Sequence, residues 1–461
     1  MATNNVFSLP CDLPTGNTAL ETKMVLKIKE SSSENVPQKY KARLCAKGYR
    51  QVFGIDYFET YAPVAAYNSL RLFLSLMCSL DYEIDSVDVI TAFLLAKLDE
   101  SIYIKIPDGY TGENPNNKGY LKLQKSLYGL KQAPNVWNQA LDSHLRSLGF
   151  AALIFDRCVY RGKFQGNDCF ILLYVDDMLL STPNRHSLAE LKQAIYSKYP
   201  IEDNGPIDFF LNMHFKRNRS LLKIEIHQQP KISALLEELN LSDCIPAKTP
   251  ADSHIQLNQT MSPTEPLEKQ RMETIPYKRI VGKLLYISIT ARPDISTAVS
   301  AVGRYAHNPG PRHWEGVLRI VKYLKGTKNY VLQLSGARTI VCTAYADANW
   351  GGDLDKRRSR SGYCVSLNNS LITWNSKLQK TNALSTTEAE LMALTSAAQE
   401  VIWIRSALSE LGVTQVEATT IYEDNKSCVE IASSYKSHPA TKHMEMRHNF
   451  IRDRVITQKW L

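Results

Sequence analysis

Two adjacent aspartates, Asp176 and Asp177, interrupt the apolar run CFILLYVDDMLLST at residues 169–182. Burying an unpaired carboxylate costs far more than a few leucines gain, so the pair belongs at an exposed turn or beside positive charge. FILLYV and MLL are each strand-like, which puts the aspartates at a tight hairpin turn. Side chains alternate along a strand, so one aspartate faces a site and the other lies nearer its rim. A third acid, Asp88, follows a short alternating run in EIDSVDVITAFLLAKLDESIYI. A strand-end aspartate and a hairpin-tip aspartate can together hold two divalent cations. Such a pair stabilises both the attacking and the leaving oxygen of an in-line phosphoryl transfer. Hard oxygen ligands favour magnesium over zinc. The plain alternative is a solvated Asp-Asp turn between two core strands.

A second acidic set lies near the C-terminus. CTAYADANWGGD ends an apolar run at Asp347, and TTIYEDNKS ends another at Asp424. Between them a helix from STTEAELMAL to RSALSEL carries Glu388 and Glu390. Two positions on a helix are about 200° apart, so these glutamates face nearly opposite ways. Steps of four and three from Glu390 reach Leu394, Ala397, Val401, Ile404 and Leu408, an apolar stripe. The same steps from Glu388 reach Met392, Thr395, Gln399, Trp403 and Ser406, a mixed face. Glu390 therefore heads the buried face, and Glu388 is expected in solvent. Asp347, Glu390 and Asp424 form a candidate metal cluster; the alternative is three unrelated acids at element ends.

The elements that would position these acids fall into three blocks. Residues 1–240 mix strand-like and helix-like stretches, such as SIYIKIP and the helical NVWNQALDSHLRSLGF closed by Gly149. The polar, proline-bearing stretch 245–276 lacks periodicity and reads as a linker, and helical patterns follow to about residue 335. Residues 336–461 read strand, strand, helix, strand, helix, with the strands in TIVCTAYAD, GYCVSLNNSLITW and ATTIYED and with Gly412 closing the long helix. The formal net charge of +9 has the sign suited to a polyanionic partner. The nine cysteines never form a CxxC pair, against both a zinc knuckle and a disulfide framework and for a reducing compartment. No secretory signal and no run of about 18 apolar residues is visible, so a soluble intracellular chain without a membrane partner is expected.

Several phrases carry a specific resemblance. YKARLCAKGYRQVFGIDYFETYAPVA, VDVITAFLLAKLDESIYIKIPDGY, LQKSLYGLKQAPNVWNQAL and ILLYVDDMLL occur in that order, and the chain they mark resembles the polymerase of copia-type LTR retrotransposon Pol polyproteins. YADANWGGDLDKRRSRSGYCV, ITWNSKLQKTNALSTTEAELMAL, YEDNKS and HPATKHMEMRHNFIRDRV resemble the ribonuclease H region of the same elements. The resemblance implies an α+β right-hand polymerase with fingers and palm over residues 1–240. A mainly helical linker, thumb or connection region (241–335) would join it to an α/β ribonuclease H-like domain (336–461).

Carried over residue by residue, Asp88, Asp176 and Asp177 match the polymerase metal ligands, with Asp88 and Asp176 as the core pair. Phe93 matches the aromatic that excludes a ribose 2′-hydroxyl. Tyr128 and Gly129 match the segment beside the incoming nucleotide, and Lys41 and Arg43 are candidate contacts to its triphosphate. Asp347, Glu390 and Asp424 match the nuclease acids. The last acid falls on Glu445, where the family usually has aspartate, with His443 or His448 as candidates for proton transfer or product release. The implied cofactor is Mg2+, two ions per active site, or Mn2+. The implied partners are an RNA template, a DNA primer, RNA–DNA hybrid and dNTPs, with other Pol and Gag products in the cytoplasm or virus-like particles if the element is intact. AFLLAKL, which replaces the usual Asn-Gly after the palm strand, and lysine in QQPKIS depart from the family pattern. They keep open a truncated, decayed relic that only binds nucleic acid.

Overall fold

The structure is a computed structural model that describes residues 5–29, 39–112, 114, 118–252, 254–433 and 445–456. In chain order the first elements are β1 (Ala19–Leu20), β2 (Thr22–Lys29), β3 (Lys39–Ala46), α1 (Tyr67–Ser79), β4 (Glu83–Val89), β5 (Tyr103–Lys105), β6 (Tyr120–Lys122) and α2 (Ala133–Ser147). There follow β7 (Phe150–Ala152), β8 (Val159–Phe164), β9 (Asn167–Tyr174), β10 (Asp177–Thr182), α3 (Arg185–Tyr196) and β11 (Ile201–Pro206). All but α1 belong to a first compact unit, made of the described residues up to Ala65 and of Glu83–Pro206.

The backbone of that unit is a six-stranded sheet in the order β11-β4-β10-β9-β8-β7, antiparallel throughout. Its central strands are apolar because both faces are covered: Ile171, Leu172, Leu179 and Leu180 are fully buried. One buried acid is tolerated among them because it is matched: Asp85 on β4 accepts from Arg185 and from Lys192, each at 2.6 Å. A smaller sheet, β1-β5-β6, packs its Ile104 and Leu121 with Leu94, Ile102 and Leu127 into a second core. Strands β2 and β3 form a separate two-stranded hairpin.

The second unit takes α1 and everything from Ile207 onward. Its remaining elements are β12 (Phe209–Phe210), β13 (Met213–Asn218), β14 (Lys223–His227), α4 (Gln229–Glu238), α5 (Pro266–Glu273), α6 (Tyr277–Thr290), α7 (Ser296–Gly303), α8 (Pro311–Gly326) and β15 (Leu332–Ser335). The chain ends with β16 (Cys342–Asn349), β17 (Arg360–Leu367), β18 (Ser370–Leu378), α9 (Thr386–Glu410), β19 (Thr420–Tyr422), α10 (Lys426–Ser433) and α11 (Glu445–Ile456). Helices α4, α6, α7 and α8 share one apolar core around Ile280, Leu284, Val299, Val317 and Ile320. Strand β15 closes the sheet β12-β13-β14-β15 by pairing antiparallel to β14, so the helical run is an excursion between two neighbouring strands.

The last sheet has the order β18-β17-β16-β19, antiparallel except that β19 runs parallel to β16. Helix α9 lies on it, with Ala389, Ala393, Ala397 and Ala398 fully buried; small side chains let helix and sheet approach closely. Two expectations change here. GYCVSLNNSLITW is not one strand but two, folded at Asn368 and Asn369, whose φ values of 52° and 61° are those of a two-residue hairpin turn. The linker holds α5, a helix with only Met272 buried; it has no apolar stripe, so periodicity could not reveal it. No helix among the described residues is long and apolar enough to cross a membrane.

Candidate active sites

In the first unit Asp177 opens β10 and pairs in register with Asp88 on β4. Paired residues of an antiparallel ladder point to the same face, so these carboxylates are neighbours. Val87 and Val89 on either side of Asp88 are buried, which turns Asp88 to the opposite face. Asp176 sits in the β9–β10 turn, which Val175 makes possible by adopting φ 61°. The turn is pinned twice: Val89 N donates to the Asp176 carbonyl at 2.9 Å, and Trp137 Nε1 donates to the Val175 carbonyl at 2.7 Å. Burial raises the Asp176 carboxyl above its ordinary pKa, while the charges of Arg43 and Lys41 pull it down. Both cations occupy alternate positions on β3 and so share a face.

Tyr128 joins the two groups. The Arg43 guanidinium lies 5.6 Å from its ring centre, and Phe93 meets the ring edge-on at 5.1 Å. Burial raises the Tyr128 phenol, Arg43 lowers it, and the charges of Asp176 and Asp88 raise it further. Its backbone is fixed by Ala46 N donating to the Tyr128 carbonyl at 2.7 Å. Gly129 has φ +90°, and a Cβ there would meet the Ala46 carbonyl oxygen at 2.2 Å, so only glycine lets the two backbones touch. Register pairing, ring contacts and charge thus gather Asp88, Asp176, Asp177, Tyr128, Phe93, Lys41 and Arg43 at one end of the sheet, although the three aspartates do not close into a metal-holding trio.

In the second unit Asp347 lies on β16, Glu390 in the second turn of α9, and Asp424 just beyond β19. Carboxylate oxygens of the three lie within 4.8 Å of one another, the sole such trio among the described residues. Parallel pairing of β19 with β16 carries both aspartates toward the same end of the sheet. Glu390 is 7% exposed and its Oε2 is buried with no hydrogen-bond partner. Burial, then the charges of Glu423, Asp347 and Asp424, push its carboxyl up to about 7 against the pull of the Ala348 amide.

Glu423 was not singled out in the sequence. Its Oε2 is likewise buried and unpartnered, and burial with the charges of Asp424 and Asp347 pushes it up to about 7. The signal was present in YEDN, where an acid immediately precedes Asp424. Glu388 is a correction: it is buried, because its Oε2 accepts the Leu384 amide at 2.6 Å while Ser385 Oγ accepts the Glu388 amide at 3.1 Å. Its work is to cap α9. His448 is also buried, with Nε2 2.9 Å from the Ile431 carbonyl, so that nitrogen already has a partner. His443 and the side chain of Glu445 lie outside the described residues.

The family described as reverse transcriptase (RNA-dependent DNA polymerase) matches residues 4–253. A retrovirus-related Pol polyprotein from transposon TNT 1-94 of Nicotiana tabacum is 40% identical over 98% of the chain, and one from transposon RE1 of Arabidopsis thaliana is 34% identical over 93%. The chain spans 34% and 28% of those two proteins. A putative transposon Ty5-1 protein of Saccharomyces cerevisiae is 32% identical over 68% of the chain and 100% of its own length. On these matches the chain belongs to the reverse transcriptase family, in its copia-type retrotransposon Pol branch.

Proposed function

We propose that the chain is an RNA-directed DNA polymerase with a separate site that cleaves the RNA of RNA–DNA hybrids. In this reading the first unit supplies fingers and palm. The sheet β18-β17-β16-β19 with α9 is a ribonuclease H-like domain, and the helices of 241–335 are the connection. The observation that carries the polymerase assignment is the register pairing of Asp88 with Asp177 beside the Asp176 turn, in a chain of this family. The nuclease assignment is supported by the trio Asp347, Glu390 and Asp424.

The donor set of the second unit fits a divalent cation. Oxygen-only ligands, an orphaned buried Glu390 Oε2 and a carboxyl raised by burial and then by its acidic neighbours describe a site that disfavours its own negative charge, which a hard cation such as Mg2+ or Mn2+ relieves. Asp347, Glu390 and Asp424 would hold it there; at the first site Asp88, Asp176 and Asp177 would take the same role on the strength of the family match, since those three do not close into such a trio. When bound, it supplies positive charge to the reacting phosphate.

The protein's own residues do the positioning. Lys41 and Arg43 face the aspartates and would take the triphosphate of the incoming nucleotide, guanidinium and ammonium being natural phosphate partners. Tyr128, held by Phe93 and by the Gly129–Ala46 backbone contact, would form the floor under the sugar, with Phe93 against a 2′-hydroxyl. The primer 3′-hydroxyl attacks the α-phosphorus and pyrophosphate leaves. At the other site water attacks a hybrid RNA phosphodiester, releasing a 3′-hydroxyl.

The test is the purified full chain on primed RNA with magnesium, with labels reporting extension and RNA cleavage together. Asp88→Asn should abolish extension and spare cleavage; Glu390→Gln should do the reverse. Salt-sensitive hybrid binding with no turnover by the unsubstituted chain, under magnesium or manganese, would overturn both assignments.

A further inference from the structure

A cavity of about 560 Å³ lies inside the second unit, bounded by α7, α8, the described residues of 247–257 and the ends of β16, β17 and β18. That volume is in the range of small-molecule sites, about 300–1,000 Å³. One wall is apolar, formed by Ile255, Leu257, Ala298, Val302 and Ile320. The rim is basic: Arg304, Arg312, Arg319, Lys322 and Arg360 face three acids, Asp252, Glu315 and Asp353.

Each of those acids already has a partner. Arg319 takes Asp252 at 3.0 Å, Arg312 takes Glu315 at 2.8 Å, and Arg304 takes Asp353 at 2.5 Å. Two cations are left over. Among the described residues, no carboxylate lies within ion-pairing distance of Lys322 or Arg360. Arg360 Nη1 donates to Ser300 Oγ at 2.8 Å and to the Ser376 carbonyl at 3.3 Å, both neutral acceptors. Burial and then the like charge of Arg304 disfavour its charged form, and the charge of Asp353, itself ion-paired to Arg304, opposes them only in part. Strand pairing to Asn349 and to Leu378 fixes the backbone of residue 360, and the two hydrogen bonds hold the guanidinium at the cavity. A hydrogen-bonded, incompletely neutralised guanidinium at the end of an apolar wall is what an anionic headgroup on an apolar body requires.

We propose that this cavity binds a small amphipathic organic anion, its phosphate, sulfonate or carboxylate group on Arg360 and its apolar body along Leu257, Val302 and Ile320. The site is independent of both acidic centres, and no residue of theirs lines it. A nucleic-acid strand does not suit it, since its backbone is charged at every step and the wall is not.

The test uses the full chain and two probes with the same ring system: anionic 8-anilinonaphthalene-1-sulfonate and neutral N-phenyl-1-naphthylamine. The unsubstituted chain should bind the sulfonate saturably and more tightly than the neutral probe. Arg360→Gln should weaken the sulfonate about tenfold, the cost of one charge-assisted contact, and leave the neutral probe unchanged. Arg360→Lys should restore most of the lost affinity. Ala301→Trp, which fills the cavity from α7, should remove both probes, with circular-dichroism melting confirming that each variant is folded. Sulfonate binding equal in the unsubstituted chain and Arg360→Gln, or untouched by Ala301→Trp, would overturn the site.

Discussion

Replacing Glu390 by glutamine should stabilise the cation-free protein, and only at higher pH. The Glu390 carboxyl is raised to about 7 from an ordinary 4.5, so the folded chain holds its proton more tightly than the unfolded chain. Between those values the folded state binds more protons, and stability falls as pH rises; above 7 the whole penalty is present, and below 4.5 it is absent. At 1.36 kcal/mol per pKa unit the ceiling is about 3.4 kcal/mol. Glu423 sits in the same field and is raised to the same value, so about half, about 2 kcal/mol, is assigned to Glu390 alone. For a unit of this size that is about 4–8 °C in melting temperature. The measurement is thermal unfolding of the full chain by circular dichroism, in chelator, from pH 5 to pH 8. Glutamine should melt above wild type at pH 8, with the gap closing by pH 5. Millimolar magnesium at pH 8 should raise wild type and leave Glu390→Gln nearly unmoved. A gap of the same size at pH 5 and pH 8 would refute the reasoning, because it would owe nothing to the carboxylate charge.

Gly129→Ala should cost the first unit more than about 2 kcal/mol by urea unfolding and abolish extension, since a Cβ there overlaps the Ala46 carbonyl and φ is +90°. Arg71→Met should destabilise the second unit by about 2–4 kcal/mol: the buried guanidinium donates to the Ile372 carbonyl at 2.5 Å and the Ile289 carbonyl at 2.9 Å, and stacks 4.0 Å over Trp374. Glu445→Asp, which shortens an acid by one methylene to the length usual in the family, should raise hybrid cleavage in the labelled assay and leave primer extension unchanged.

The string made some of this geometry readable for definite reasons. Asp176 and Asp177 stand between two apolar runs, and a hairpin is the arrangement that keeps both runs buried and both charges reachable. The apolar stripe from Glu390 picks out the sheet-facing side of α9, because period 3.6 is visible over a helix of 25 residues. The same reasoning misplaced Glu388, since a helix wheel measures angle and ignores the cap: at the third position after Ser385, a glutamate folds back on the preceding amide instead of entering water. Glu423 escaped notice because its environment is made by β16 and α9, tens of residues away in sequence. The hairpin at Asn368–Asn369 was missed despite a readable turn signal, which two continuous apolar stretches masked. Lys41, Arg43 and Tyr128 carry no local mark of their meeting; only the long-range approach of Ala46 to Gly129 brings them together.

Helix α1 is buried on nearly all sides, with Leu70, Leu72, Phe73, Leu74, Leu76 and Met77 at 1% exposure or less, and the strands it packs on, β14, β15 and β18, belong to the second unit, as do the carbonyls that Arg71 reaches. The polypeptide therefore crosses from one unit to the other three times, after Ala65, after Tyr82 and after Pro206. A single proteolytic cut at residue 206 cannot yield a self-sufficient C-terminal fragment, because seventeen residues of its interior leave with the other piece. Supplied as a separate peptide, 66–82 should rescue such a fragment by complementation, and on the ribosome the helix must wait for more than a hundred residues to emerge before its partners exist.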